Sequence, residues 1–420
     1  MSVPGGWLPQ HAPSAQRVAS DGLPAVPTMD EVARFGAAMR TQVTRRRWLA
    51  LLVTVFVVLV LAACGIGILA IIGLSVGTTG FLLGAVMAVL PVPLLVAAFR
   101  WLDRHEPEPT RYLVFSFAWG AAVATLIAIT LNEIGSSLFF PTPTDPTDPG
   151  LAAVFVAPPV EELAKGAVVF ILAWRRRIDG IIDGIVYAGL AGLGFACTEN
   201  ILYIGRNYSM ISDEAGTGMG VFAALVTFLV RGVVSPFAHP LFTMSIGVAV
   251  GVAVRRRSRV VRVLVSLLGL VVAMGLHGVW NGAATLGLGQ FALAYLLIML
   301  PVFGVAVAIA LWFRRREGRV LAWRLPAFAE SGWIAPHEVA LLSSLRLRAL
   351  SLDIARRWGG DTARQATKAY HDQVVALGFL RDRLARGRLG EPGLVQQVEM
   401  LAALPLLRAR AVVPPPPGHR

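Results

Sequence analysis

WLALLVTVFVVLVLAACGIGILAII, residues 48–72, runs for 25 positions without a charged side chain. A helix of that length rises about 37 Å, more than the ~30 Å hydrocarbon core of a bilayer. The stretch is too long, and begins too far into the chain, for a cleaved signal peptide, so it reads as a membrane helix. Working outward, comparable apolar stretches recur at 80–100, 112–140, 150–174, 179–204, 221–254, 261–286 and 291–313. The expected fold is therefore all-α, a polytopic membrane helix bundle of about eight transmembrane helices. The whole composition agrees: 56% hydrophobic and 15% charged residues with mean hydropathy +0.66 exclude a disordered chain and an ordinary soluble enzyme. The two cysteines, Cys64 and Cys197, lie in apolar runs without partner spacing, which suggests neither a disulfide framework nor a structural zinc site.

The net charge of +13 raises the question of a nucleic-acid partner, and the position of the arginines answers it. Eighteen of them flank the spans at 45–47, 100–111, 175–177, 255–262 and 314–319, all on one side of an eight-span arrangement. The opposite connections hold one, Arg206. The positive-inside rule then places both termini in the cytoplasm of a multi-pass protein of the inner (plasma) membrane. The basic charge is a topology signal, and no nucleic-acid partner is expected.

Composition also divides the chain. Residues 1–47, with Pro4, Pro9, Pro13, Pro24 and Pro27, read as a flexible cytoplasmic tail, and 48–313 as the membrane domain. Residues 314–410 read as a small cytoplasmic helical module, with apolar spacing at Leu341, Leu345, Leu350 and Leu352 and a break at Gly359–Gly360. Residues 411–420, containing Pro414–Pro417, read as a disordered tail. The module is either a docking element for a cytoplasmic partner or a packing skirt.

Ionisable residues inside a bilayer are expensive and face a bundle interior or a water-filled cavity. Here they are few: Glu161, Glu162 and Lys165 in the fourth span, Glu199 with Asn200 and Tyr203 in the fifth, Arg231 and His239 in the sixth, His277 and Asn281 in the seventh. Counted from the cytoplasmic arginines, or from Asp183 for Glu199, residues Glu161, His239, His277 and Glu199 lie 14, 16, 15 and 16 residues in. That is one level, roughly 21–24 Å deep, whereas isolated polar residues would scatter. Each has a plainer explanation when taken alone. Glu161 and Lys165 at i,i+4 can neutralise each other. Pro236 and Pro240 beside His239 mark either a kink or backbone opened onto a cavity. His277 and Asn281 can be interhelical hydrogen-bond glue. Asp179 and Asp183 suit a helix N-terminus, and Asn132 with Glu133 reads as packing. The shared depth favours a site.

Hydrolysing a peptide in a bilayer needs an activated water, a proton donor for the leaving amine and donors facing the oxyanion. A desolvated glutamate is basic enough to activate water. Histidines can hold the water or donate a proton, and Asn281 can face the oxyanion. Glu161 and Glu162 project about 100° apart on a helix, so only one points at the scissile bond. Glu161 is preferred because it shares a face with Lys165. No cofactor is required by the sequence, although His239 and His277 with Glu161 or Glu199 match a catalytic zinc pattern. Competing motifs fail on context. Gly73-Leu74-Ser75-Val76-Gly77 ends a membrane helix instead of joining a strand to a helix, and His337-Glu338 lacks the second histidine of a zincin.

Several runs together resemble the PrsW family of bacterial intramembrane proteases: Asp103-Arg104-His105-Glu106-Pro107-Glu108-Pro109, Glu161-Glu162-x-x-Lys165, and Asp183-Gly184-Ile185-Val186-Tyr187-Ala188. Gly192-Leu193-Gly194-Phe195-Ala196 leading to Glu199-Asn200-x-x-Tyr203, then His239 and His277-Gly278-Val279-Trp280-Asn281, continue it in the family's order. That family is similar in turn to the CAAX prenyl proteases and related glutamate-dependent membrane enzymes. The resemblance implies Glu161 and Glu162 as the activating pair, His239 and His277 completing the centre, Asn281 near the oxyanion or water, and Glu199 as a further site residue. Members are often labelled metalloproteases and make the first cut in single-pass anti-sigma factors. The chain departs from the family in its 320–420 tail and Pro-rich leader. A reading from another class is a transporter or scaffold using the same polar centre for proton relay or ligand binding, although no inverted internal repeat is visible.

Overall fold

A computed structural model describes residues 18–23, 25–36, 45–140, 150–387, 389 and 391–413. Of the tails expected at 1–47 and 411–420, residues 1–17, 24, 37–44 and 414–420 lie outside the described residues, as does the connection at 141–149. Among the described residues every regular element is a helix. In chain order these are α1 (Met29–Gly36), α2 (Arg45–Val89), α3 (Val92–Leu102), α4 (Thr110–Ala118), α5 (Thr125–Phe139), α6 (Gly150–Phe155), α7 (Ala157–Trp174), α8 (Ile181–Ala215) and α9 (Thr217–Phe228). Then follow α10 (Ala238–Ala253), α11 (Arg259–Thr285), α12 (Leu288–Ala294), α13 (Leu300–Arg324), α14 (Pro326–Glu330), α15 (Pro336–Ser343), α16 (Leu345–Ala385) and α17 (Glu391–Arg410). Wider π turns at Trp119–Ala124, Leu229–Val234 and Tyr295–Met299 interrupt three of the long runs.

Six helical stretches are long and apolar enough to cross a membrane: Leu51–Leu102, Thr110–Phe139, Ile181–Ala215, Thr217–Ala253, Arg259–Thr285 and Leu288–Glu330. The expected count of eight differs for two physical reasons. Leu51–Leu102 holds the first two expected spans, broken at Gly77, whose φ of 71° a side chain would strain. The fourth, α7, carries Glu161, Glu162 and Lys165 within 18 residues and is too polar to count by composition.

Contacts divide the chain into two compact units, Trp48–Asp103 with Pro107–Phe313, and Met1–Arg47 with Arg104–Glu106 and Arg314–Arg420. In the first, apolar residues point outward as lipid requires. The most apolar window of Leu51–Leu102 is only 11% buried, that of Leu288–Glu330 6%. The corresponding window of α8, the least apolar of the six, is 94% buried. Glycine lets neighbouring backbones reach α8. A Cβ on Gly192 would stand 2.7 Å from the His239 carbonyl oxygen of α10, and one on Gly84 2.5 Å from the Ile201 carbonyl oxygen. Around α8, Val168, Val169, Leu172, Ile185, Val186, Ile246 and Val250 form the core.

The second unit packs Leu321, Leu325, Phe328, Trp333, Leu342, Tyr370, Val374, Leu377, Leu401 and Leu404. The glycine pair breaks α16 as expected, with Gly360 at φ 67°. Ala19, Val26 and Val32, expected to belong to a flexible tail, are instead built into this core. Val26 and Val32 are buried, Trp333 Nε1 donates to the Pro27 carbonyl (2.6 Å), and Asp21 is buried between Arg324 and Arg381. His337-Glu338 is structural too: the buried Glu338 carboxylate accepts from the Ala335 N–H (2.6 Å) and Tyr370 hydroxyl (2.8 Å) and pairs with Arg408 (2.7 Å).

Candidate active site

Pro158 and Pro159 open α7, where missing N–H groups cost nothing, and the paired glutamates follow on the inner face of the helix. α8 brings Glu199, α10 His239 and α11 His277. His239 is the second residue of α10, just after the chain leaves helical geometry at Ser235–Phe237. The kink expected from Pro236 and Pro240 is this interruption. Glu161, Glu162, Lys165, His239 and His277 are all buried.

Glu162 is fully engaged. Its Oε1 lies 2.5 Å from Lys165 Nζ and 2.9 Å from His277 Nδ1, and Oε2 accepts from the Thr243 hydroxyl (3.1 Å). Lys165 also reaches His239 Nδ1 at 3.3 Å and sits 4.3 Å from the centre of the Phe195 ring. The expected partnership of Lys165 with Glu161 is thus the weaker one, at 3.7 Å. The i,i+3 carboxylate, not the i,i+4 one, takes the ammonium.

Glu199 bridges two helices. One oxygen lies 2.8 Å from His239 Nε2 and also meets the Arg231 guanidinium, while Arg231 Nε donates to Asn200 Oδ1 (2.7 Å). Arg231 stacks 4.2 Å from the Tyr203 ring centre.

Glu161 is finished differently. Its Oε1 accepts from Asn132 Nδ2 (3.2 Å), but its buried Oε2 has no hydrogen-bond partner. That oxygen faces His277 Nε2 and Lys165 Nζ, each at 3.7 Å. A carboxylate can only accept, so His277 gives its Nδ1–H to Glu162, and a neutral ring then presents the Nε2 lone pair toward Glu161. Two acceptors facing each other across 3.7 Å call for a donor or a cation between them.

A metal fits this donor set. Glu161, His239 and His277 offer ligand atoms within 4.8 Å of one another. Each histidine has its other nitrogen held by a carboxylate, Glu162 for His277 and Glu199 for His239, the outer-shell support metal-bound imidazoles require. Three carboxylates face two fixed cations here, Lys165 and Arg231, so added positive charge is tolerated. Lys165 would have to yield the His239 Nδ1 lone pair.

A narrow crevice of about 10 Å³, lined by Asn200, Arg231, Ser235, Pro236, His239 and Trp280, adjoins the cluster at His239. Aromatic rings pack against both histidines: Phe242 stacks on His277 with ring centres 5.0 Å apart, and Phe195 lies 5.5 Å from His239.

Five of the six sequence-predicted residues therefore come together: Glu161, Glu162, Glu199, His239 and His277. Asn281 does not join them. Its amide donates to the Ala153 carbonyl of α6 (2.8 Å). Conversely Asn132, read from sequence as packing, reaches Glu161, and Thr243 and Arg231 complete the polar shell. Asn132 lies much farther along its span from Arg111 than the others lie from their arginines, so a depth count passes over it.

A sequence model of a family described as PrsW family intramembrane metalloprotease matches residues 108–326, which hold every residue of the cluster. The chain is similar to proteins named Protease PrsW. It is 26% identical to that of Geobacillus kaustophilus (strain HTA426) over 166 residues, 39% of this chain and 64% of that protein. The Clostridioides difficile (strain 630) protein is 25% identical over 38% of this chain and 62% of its own length. That of Bacillus subtilis (strain 168) is 28% identical over 46% and 78% respectively. The chain thus covers less than two thirds of the first two relatives. No solved structure matches it.

Proposed function

The chain belongs to the PrsW family of intramembrane metalloproteases, is a multi-pass membrane protein, and on that premise we propose that it hydrolyses peptide bonds of other membrane proteins. The observation that carries this reading is the buried Glu161 Oε2, without a hydrogen-bond partner, opposite His277 Nε2. An oxygen kept unsatisfied in a dry site costs about 1–3 kcal/mol, and a water between it and the imidazole recovers that cost.

In the proposed reaction Glu161 takes a proton from this water as the water oxygen bonds to the scissile carbonyl carbon. The oxyanion forms in a dry pocket where the Lys165 ammonium is the nearest fixed positive charge. Glu161 then returns the proton to the amide nitrogen as the C–N bond breaks, giving a carboxylic acid and an amine. Glu162 holds Lys165 and His277 in place, and Glu199, fixed by Arg231, orients His239. Choosing Glu161 over Glu162 rests on its free oxygen, not on a shared face with Lys165. Asn281, engaged by Ala153, steadies α6 in this scheme. Glu161, His239 and His277 would hold a zinc ion, whose chemistry when bound is Lewis-acid polarisation of water and carbonyl.

The substrate class is a single-pass membrane protein, and the family points to first-cut cleavage of an anti-sigma factor. The eighteen flanking arginines support an orientation with both termini in the cytoplasm, in the inner membrane. The test is incubation of purified protein, in lipid vesicles, with single-pass candidates including anti-sigma factors, and mass spectrometry of the products. Cleavage within or beside the substrate's membrane segment by the native chain and not by Glu161→Gln is expected. Equal products from both proteins would overturn the glutamate role. Binding of candidates without any product would move the reading to a transporter or scaffold.

A further inference from the structure

Away from this cluster, the unit containing residues 314–420 buries a second group of polar side chains that the proteolytic reading does not use. Arg348 and Ser351 stand one turn apart on the first arm of α16, and His371 lies on the arm beyond the Gly359–Gly360 break. His105, from the Arg104–Glu106 segment of the same unit, joins them: its Nδ1 lies 3.3 Å from the Arg348 guanidinium and its carbonyl oxygen 3.5 Å away. All four are more than nine-tenths buried, at 7, 2, 4 and 7% exposure for Arg348, Ser351, His371 and His105.

Three of these side chains have a polar atom with no partner: Arg348 Nε, Ser351 Oγ and His371 Nδ1. Among the described residues no carboxylate pairs with Arg348. Asp372, whose charge it feels, is held by Lys368 at 2.5 Å. A buried guanidinium without a counter-charge is among the costliest arrangements a protein can keep. Burial, and then the Arg348 charge, hold both histidines down at about 4, so each is neutral at pH 7 with one N–H to give. The Arg314 charge acts on His105 in the same direction.

We propose that Arg348, Ser351 and His371, with His105 behind them, form a binding site for a phosphate group. Arg348 and Ser351 lie one turn apart and the Arg348 charge is felt at His371, so an unpartnered guanidinium N–H, hydroxyl and imidazole N–H in one buried region suit a tetrahedral oxyanion with several acceptor oxygens. The group is either inorganic phosphate or the phosphate of a lipid headgroup.

The full chain in an uncharged, phospholipid-free detergent is titrated with inorganic phosphate by calorimetry and thermal melting. A second arm compares melting in bilayers of a phosphate-free galactolipid with and without phosphatidic acid. Saturable binding in detergent identifies free phosphate, and stabilisation only by phosphatidic acid identifies the headgroup. In either case Arg348→Gln should weaken the effect about tenfold or more, and Ser351→Ala severalfold. Should Arg348→Gln fail to fold, Ser351→Ala decides. No effect of either ligand, or an effect of equal size in the variants, would overturn the site and leave ordered water as the partner of the three atoms.

Discussion

Each compact unit buries opposite charges, and the Asp21 network of one and the Glu161 cluster of the other are finished in different ways. In the unit that includes the leader, both oxygens of Asp21 are met. Arg381 approaches at 2.5 and 2.7 Å and Arg324 at 3.4 Å, while Asp382 takes Arg324 at 3.2 Å and Arg386 at 2.5 Å. Burial raises the Asp21 carboxyl, but the Arg381 bonds and charge, with a backbone N–H and Arg324, outweigh it and hold the group below its ordinary range. In the membrane unit, Glu162 and Glu199 are equally well held, yet Glu161 keeps one oxygen bare. A completed network fixes a fold; one left open by a single oxygen is prepared for something that comes and goes.

Substitution in the membrane cluster should separate the two glutamates most widely. Glu161→Gln keeps volume and the Asn132 contact, so cleavage should fall about 10²–10⁴-fold with little change in melting. Glu162→Gln strands the buried Lys165, so activity and roughly 3–5 kcal/mol of stability should go together. If Glu161→Gln also melts far below the native chain, the distinction between the open and the completed carboxylate collapses. Asp21→Asn probes the other network. It should cost its unit about 3–5 kcal/mol, seen as early proteolysis of residues 18–36, while the folded fraction still cuts substrate at the native rate. A rate loss matching Glu161→Gln would show that the leader's network is not merely structural.

Arg231→Lys should be milder. A lysine can meet Glu199 but cannot reach Asn200 at the same time, so turnover should drop about tenfold with the protein folded. Unchanged turnover would remove Arg231 from the positioning of His239.

The smallest effect concerns Asp103 and Glu108, between α3 and α4. Burial first, and the nearby Asp183 charge as well, push Asp103 up to about 8 and Glu108 up to about 9. Tyr187 donates to Glu108 at 2.5 Å and opposes the shift without cancelling it. A raised acid binds more protons folded than unfolded, so its contribution is complete below pH ~4 and shrinks as pH rises toward the folded values. Melting temperature should therefore decline from pH 5 to pH 9, and Glu108→Gln should flatten the decline. An identical slope in that variant would contradict the assignment.

Much of the membrane unit could be read from sequence because lipid imposes its rule locally. A run such as 48–72 needs no distant partner to be recognised, and a lone Glu or His within such a run must turn inward. Five residues of the candidate cluster were legible on that ground. The choice of Lys165 between Glu161 and Glu162 was not, since both lie within a helical turn and Thr243 and His277 decide it from other helices. Asn132 was hidden because a neutral amide carries the same sequence signal whether it packs or binds. The leader misled for a related reason. Its prolines suggest a loose chain, whereas Asp21 is held by arginines some three hundred residues away, which leave no trace in the local pattern.

The burial of α8 bears on how the chain is made. Its inner stripe of glycines gains contact only against neighbours, and Gly184 and Gly192 need α10. Ala215 ends α8 and Ala253 ends α10, 38 residues later. At about 5–20 residues per second, the ribosome needs roughly 2–8 s to supply that partner. During those seconds the least apolar of the six stretches must wait in the bilayer or its insertion machinery without the surface it was shaped to meet.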